Sequence, residues 1–191
     1  MIKKSKEEII EIHPIRTRKF IISIEGTSPL ICHRRSPEII RPNPGHEYDE
    51  QEEFEKSLYP RAGDKYTFPS AGLKKCVVTA AGSFLRAIKK GRAKGSFFIP
   101  IEYISIETPD KPAIRQDVVI VQKNAIVRIR AQFNTWTMEV PVEFSLVGNL
   151  TAEQLVNLFN VAGNCVGLGD WRPEKGGIFG RFKVTAVREL K

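Results

Sequence analysis

The chain has 191 residues, 41% hydrophobic and 27% charged, a composition that suits a globular protein with one sizeable core. Its 30 basic residues outnumber 22 acidic ones, and the formal charge of +8 suits nucleic acid or another anionic partner through counterion release. No apolar stretch approaches the roughly 20 residues of a membrane span, and the Lys-rich start lacks the apolar run of a signal peptide, so a cytoplasmic protein without membrane contact is expected. Cys32, Cys76 and Cys165 lack paired metal-ligand spacing and are expected as buried free thiols, with no metal and no cofactor.

Residues 1–17 read as an N-terminal arm holding Ile9, Ile10 and Ile12, ahead of one domain over 18–191. Phe20, Ile22 and Ile24 alternate with polar neighbours from Lys19 to Glu25 and predict the first strand. Residues 33–67 hold four prolines, two glycines and the acidic run Glu47–Glu53, without a sustained apolar period. They predict a long insertion with a mobile acidic loop. Leu73, Val77, Ala80, Ala81, Phe84 and Ile88 then recur at helical spacing after Pro69, predicting a first helix from Ser70 to Lys90. Lys74, Lys75, Arg86, Lys89, Lys90, Arg92 and Lys94 fall outside its apolar stripe.

Residues 97–107 predict a strand, and 113–122 an irregular strand or hairpin arm. Val127, Ile129, Ala131 and Phe133 alternate with Arg128, Arg130, Gln132 and Asn134, which sets both arginines on one sheet face. Val140, Val142, Phe144 and Leu146 read as the antiparallel partner of that strand after a turn near Trp136. Thr151 with Gln154 forms a capping box, and Leu155, Leu158, Phe159 and Ala162 give the stripe of a second helix ending at Gly163 or Asn164. A glycine-rich run, 167–180, precedes a last strand marked by Phe182, Val184 and Ala186. The order predicts an α+β protein with a ferredoxin-like, RRM-like βαββαβ core, a long insertion after strand one and extra β-hairpin arms. In such a core both helices cover one sheet face, and the other is free to bind, as in RNA-recognition modules.

The segment Phe68-Pro69-Ser70-Ala71-Gly72-Leu73-Lys74, paired with Gly176-Gly177-Ile178-Phe179-Gly180-Arg181-Phe182, resembles the repeat-associated superfamily of CRISPR backbone subunits. A second likeness covers most of the chain. Pro29-Leu30-Ile31-Cys32-His33-Arg34, Arg115-Gln116-Asp117-Val118-Val119 and Gly167-Leu168-Gly169-Asp170-Trp171-Arg172-Pro173-Glu174-Lys175 resemble a group of tailed-phage and prophage proteins. The first resemblance implies a glycine-rich loop before the last strand and side-by-side stacking into a filament or ring. It also implies attention to His33, because metal-independent ribonucleases of the superfamily use a histidine in this neighbourhood, and to Asp49, because RNA-cleaving backbone subunits carry an aspartate in this insert.

His33, flanked by Arg34 and Arg35, has the residue type for acid and base work near neutral pH. Trp171 offers a stacking face or a hydrophobic plug for its loop. Arg172 and Arg181 suit phosphate through their guanidinium forks, unless Asp170 or Glu174 satisfies them internally. The leading expectation is a non-catalytic protein that binds single-stranded RNA or DNA and self-assembles along it, through Lys74, Lys75, Arg128, Arg130, Trp171, Arg172, Lys175, Gly176, Gly177 and Arg181. The alternatives are a metal-independent endoribonuclease using His33 and a phage interaction or assembly protein that binds no nucleic acid.

Overall fold

The computed structural model describes residues 12–34, 49–85, 87–121, 124–148 and 150–190. Ile9, Ile10, Arg35, Glu47, Tyr48 and Arg86 lie outside these described residues. The protein is α+β, with four α-helices and three antiparallel sheets among the described residues.

The largest sheet holds β1 (Thr17–Gly26), β4 (Phe97–Phe98), β8 (Thr137–Ser145) and β9 (Phe182–Leu190), in the order β4-β8-β1-β9. Alternation fixes which face is covered: Phe20, Ile22 and Ile24 of β1 and Met138, Val140, Val142 and Phe144 of β8 are buried. Helices α2 (Ser70–Ser83) and α4 (Ala152–Cys165) pack on each other, and α4 packs on β9. They contribute Leu73, Val77, Ala80 and Leu155, Leu158, Phe159 to the same core cluster. The capping box is formed: Gln154 N donates to Thr151 Oγ1 at 3.1 Å, and Thr151 N donates to Gln154 Oε1 at 3.0 Å.

A second sheet joins β2 (Leu30–Cys32), β7 (Asn124–Phe133) and β6 (Ala113–Val121), in the order β2-β7-β6. This corrects the expected pairing of 127–133 with 140–146. Both segments are strands, but β7 pairs with β6 and β2, whereas β8 pairs with β1. The connection between them crosses from one sheet to the other, pinned by Trp136, which is fully buried and donates its Nε1–H to Ser28 O at 2.9 Å. Arg128 and Arg130 therefore lie on the three-stranded sheet, not on the free face of the four-stranded one.

Two further expectations change. The first helix stops at Ser83, and α3 (Lys90–Ser96) begins after a turn closed by Ile88 N donating to Leu85 O at 2.9 Å. Ile88 keeps its place in the apolar period because it is buried, although it lies in the turn. The predicted strand 97–107 divides into β4 and β5 (Tyr103–Ile106), and β5 pairs with β3 (Tyr66–Pro69) in a separate two-stranded sheet.

The acidic run is helical from Glu50: α1 (Glu50–Ser57) is capped by Asp49, whose carboxylate accepts from Gln51 N at 2.8 Å and Glu52 N at 3.2 Å. Asp49 thus holds a helix start that packs on β7 through buried Phe54, where a mobile loop was expected. Cys32 and Cys76 are buried, and Cys165 is only partly so. No helix among the described residues is long and apolar enough to cross a membrane.

Candidate functional site

A cleft of about 230 Å³ opens between the start of α2 and the glycine-rich run, lined by Lys75 and Thr79 on one wall and Gly169, Asp170 and Glu174 on the other, with His33 and Tyr59 at its side. Strand β3 leads directly into α2 through Pro69, which ends the extended run and leaves the first turn of the helix facing the cleft.

The opposite wall depends on close backbone packing. At Gly169, φ is +69° and a Cβ would run into the Ile31 carbonyl, while the next amide, Asp170 N, donates to Ile31 O at 3.0 Å. At Gly177 a Cβ would run into the Trp171 carbonyl, which accepts instead from Phe179 N at 3.0 Å. Gly180 N donates to Pro29 O at 2.7 Å. These contacts press the loop onto the segment leading into β2 and set Asp170 beside His33.

His33 Nδ1 lies 3.3 Å from Asp170 Oδ2, and Arg130 Nε lies 3.1 Å from the same oxygen. Arg130 Nη1 donates to Asp117 Oδ2 at 2.7 Å, and Arg115 Nε grips both oxygens of Asp117 at 3.0 and 2.9 Å. One charged chain thus runs from β6 through β7 to the cleft. Burial alone would raise the Asp170 carboxyl, but the hydrogen bond from His33 and the charges of Arg130 and Arg172 outweigh it and hold Asp170 below its ordinary range. Asp117 is likewise held low: burial opposes ionisation, and Arg115 and Arg130 overcome it. Burial pushes the Tyr59 hydroxyl up to about 12, so it remains protonated at neutral pH.

The residues expected to meet nucleic acid divide into two groups. Arg130 is only 6% exposed and is held by two aspartates, so it organises the interior of the site and does not face solvent. Arg172 lines the cleft, but its Nε and Nη2 donate to Glu174 at 2.9 and 2.6 Å and its Nη1 to Gly169 O at 2.9 Å. Arg181 donates to Asn164 Oδ1 at a separate recess. Gly177 serves loop packing, while Gly176 caps the short turn Pro173–Lys175 with open space around it. Lys175 is exposed beside it, Arg128 is half-buried, and Trp171 stands 45% exposed. Lys75 is exposed and reaches the cleft.

Lys74 is half-buried, with its Nζ 4.4 Å from the centre of the Phe98 ring and 5.6 Å from that of Phe97. Burial, together with the charge of Lys94, lowers its pKa. Helix α3 continues this cationic surface with Lys90, Arg92 and Lys94 after Lys89, all exposed, and contains no acidic residue. Among the described residues, none of Lys75, Lys89, Lys90, Arg92 and Lys94 forms an ion pair. Phe98, beside Lys74, is 50% exposed.

Sequence reasoning missed Asp170 as the partner of His33, and missed Asp117, Tyr59 and Phe98. The spacing of Arg115 and Asp117 on one strand face was a usable signal, but the register that sets Arg115 opposite Arg130 was not visible. No protein-family model matches this chain, and no curated protein matches it significantly.

Proposed function

We propose that this chain is a non-catalytic protein that binds single-stranded nucleic acid and self-assembles along it. The observation that carries this reading is the set of exposed cations on α2 and α3, Lys75, Lys89, Lys90, Arg92 and Lys94, none of them in an ion pair among the described residues, with the exposed ring of Phe98 beside Lys74. Single-strand binders combine cations that track the backbone with aromatic faces that stack on any base. Trp171 adds a second exposed ring at the glycine-rich run.

The core is read as ferredoxin-like. The succession β1, α2, β4, β8, α4, β9 and the antiparallel order β4-β8-β1-β9 favour that arrangement. Self-assembly is favoured by the hairpin β6–β7, whose outer part exposes Val118 and Ile120 at 70% and 79%, with Val127 also exposed opposite Val118. Apolar side chains exposed on a projecting two-stranded arm suit contact with another copy.

The test is fluorescence anisotropy of a labelled single strand titrated at several salt concentrations. Four or five phosphate contacts would give a log–log salt slope of about −3. Absence of salt-sensitive binding to both RNA and DNA would remove the reading.

A second reading, a metal-independent endoribonuclease, is favoured by the 3.3 Å approach of His33 to Asp170 in a cleft shared with Lys75. In it His33 takes the proton of a 2′-hydroxyl as that oxygen attacks the adjacent phosphorus. The 5′-oxygen leaves with a proton from Lys75, giving a 2′,3′-cyclic phosphate. RNA left intact by the parent protein, or cleaved equally by His33→Ala, excludes it.

A further inference from the structure

The cleft and the cationic surface share helix α2, on which Lys75 lines the one and Lys74 belongs to the other. At about 230 Å³ it falls below the range of drug-sized pockets and has room for a single base. Its walls combine the ring of Tyr59 with a carboxylate, Asp170, whose two contacts both fall on Oδ2. Among the described residues Oδ1 accepts no hydrogen bond.

We propose that this cleft receives one base splayed from the bound strand and selects cytosine or adenine over uracil or thymine through Asp170. The inference rests on the nucleic-acid reading above and gives one site within it a specificity. Sequence-specific recognition of single strands works by taking unstacked bases out of the strand, packing them on aromatic rings and bonding their edges. A carboxylate accepts from the exocyclic amine of cytosine, and the amine of adenine offers the same donor. Uracil and thymine present a carbonyl at that position, so two acceptors would face each other with no proton between them. Asp170 is held ionised by His33 and Arg130, which keeps it an acceptor through the neutral range. Lys75, at the cleft wall, is available to the phosphate of the same nucleotide.

The experiment compares oligo-C with oligo-U, two pyrimidine strands of equal stacking footprint, at one salt concentration and pH 7.5. The parent protein is expected to bind oligo-C about tenfold more tightly, the size of one charge-assisted hydrogen bond. Asp170→Asn is expected to abolish or reverse that ratio, with folding checked by circular dichroism. Thr79→Leu fills the cleft and leaves the charged chain intact, and it is expected to reduce the ratio to below about twofold, so the test stands even if Asp170→Asn does not fold. Equal, salt-sensitive binding of both strands by the parent, or an undiminished ratio in Thr79→Leu, overturns the base pocket while leaving nucleic-acid binding in place. Absence of binding to either strand at low salt would instead fell the underlying reading.

Discussion

Two faces of the molecule carry cations and treat them in opposite ways. On the open face of the four-stranded sheet, Lys19 pairs with Glu143 at 3.5 Å, Lys183 with Glu25 at 3.3 Å and Arg188 with Glu139 at 2.5 Å. Its outward positions on β1 and β8 hold no aromatic residue, while Phe98 of the edge strand β4 lies opposite Glu143 and borders both faces. On the α2–α3 face, Lys75, Lys89, Lys90, Arg92 and Lys94 have no ion pair among the described residues, and Phe98 stands exposed beside Lys74. The net charge of the chain therefore says less about a partner than the location of its unpaired part. A cation already neutralised by a neighbouring carboxylate releases few counterions when a phosphate arrives, whereas an unpaired one releases its full share. The sheet face away from α2 and α4 is, in this chain, the self-compensated one.

A third set of charges, the partly buried chain Arg115–Asp117–Arg130–Asp170 around buried Arg130, extends that contrast, because its pairing holds structure together. Asp117→Ala leaves Arg130 inside the protein with Asp170 as its remaining carboxylate partner and is expected to lower stability by roughly 2 kcal/mol, measured by urea denaturation. The sign of the acid response follows from the same pairs. Asp117 and Asp170 have depressed carboxyl pKa values, so their contribution is complete above the unfolded value of about 4 and disappears as pH falls through the lower folded values. Thermal melts from pH 6 down to pH 2 are expected to show a loss that begins below about pH 4 and is smaller in Asp117→Asn.

Phe98→Ala removes a stacking face and is expected to weaken single-strand binding about tenfold, by anisotropy, with little change in the salt slope, since no charge is lost. Glu139→Gln, which breaks an exposed pair on the open sheet face, is expected to change stability by less than about 1 kcal/mol. A larger effect there would mean that the open face is a tightly organised network, not a solvated surface.

Local order was largely legible from the chain, and long-range pairing was not. The alternation of Phe20, Ile22 and Ile24, the Thr151–Gln154 capping box and the last strand each announce themselves within a few residues, and each stands in the structure. Helix α1 escaped because eight residues with one buried aromatic show no measurable period. Residues 127–133 and 140–146 were each recognisable as strands, yet alternation carries no information about which strand lies next door, and the buried Trp136 sends the chain into another sheet. His33 was noticed from its basic neighbours. Its partner Asp170 lies far along the sequence and is delivered by glycines whose purpose, packing the loop on Ile31, appears only when the two segments meet.

Whether unpaired cations or total charge form the binding face is decided by two triple variants of equal charge. Lys90→Glu with Arg92→Glu and Lys94→Glu alters the α3 face. Lys19→Glu with Lys183→Glu and Arg188→Glu alters the open sheet face by the same amount. Affinity for a labelled single strand at fixed salt is expected to fall about 100-fold in the first, from roughly three lost phosphate contacts and their replacement by repulsion, and by less than about threefold in the second, through long-range repulsion alone. Equal losses in the two variants, or a larger loss in the second, would mean that the α3 cations do not form the binding face.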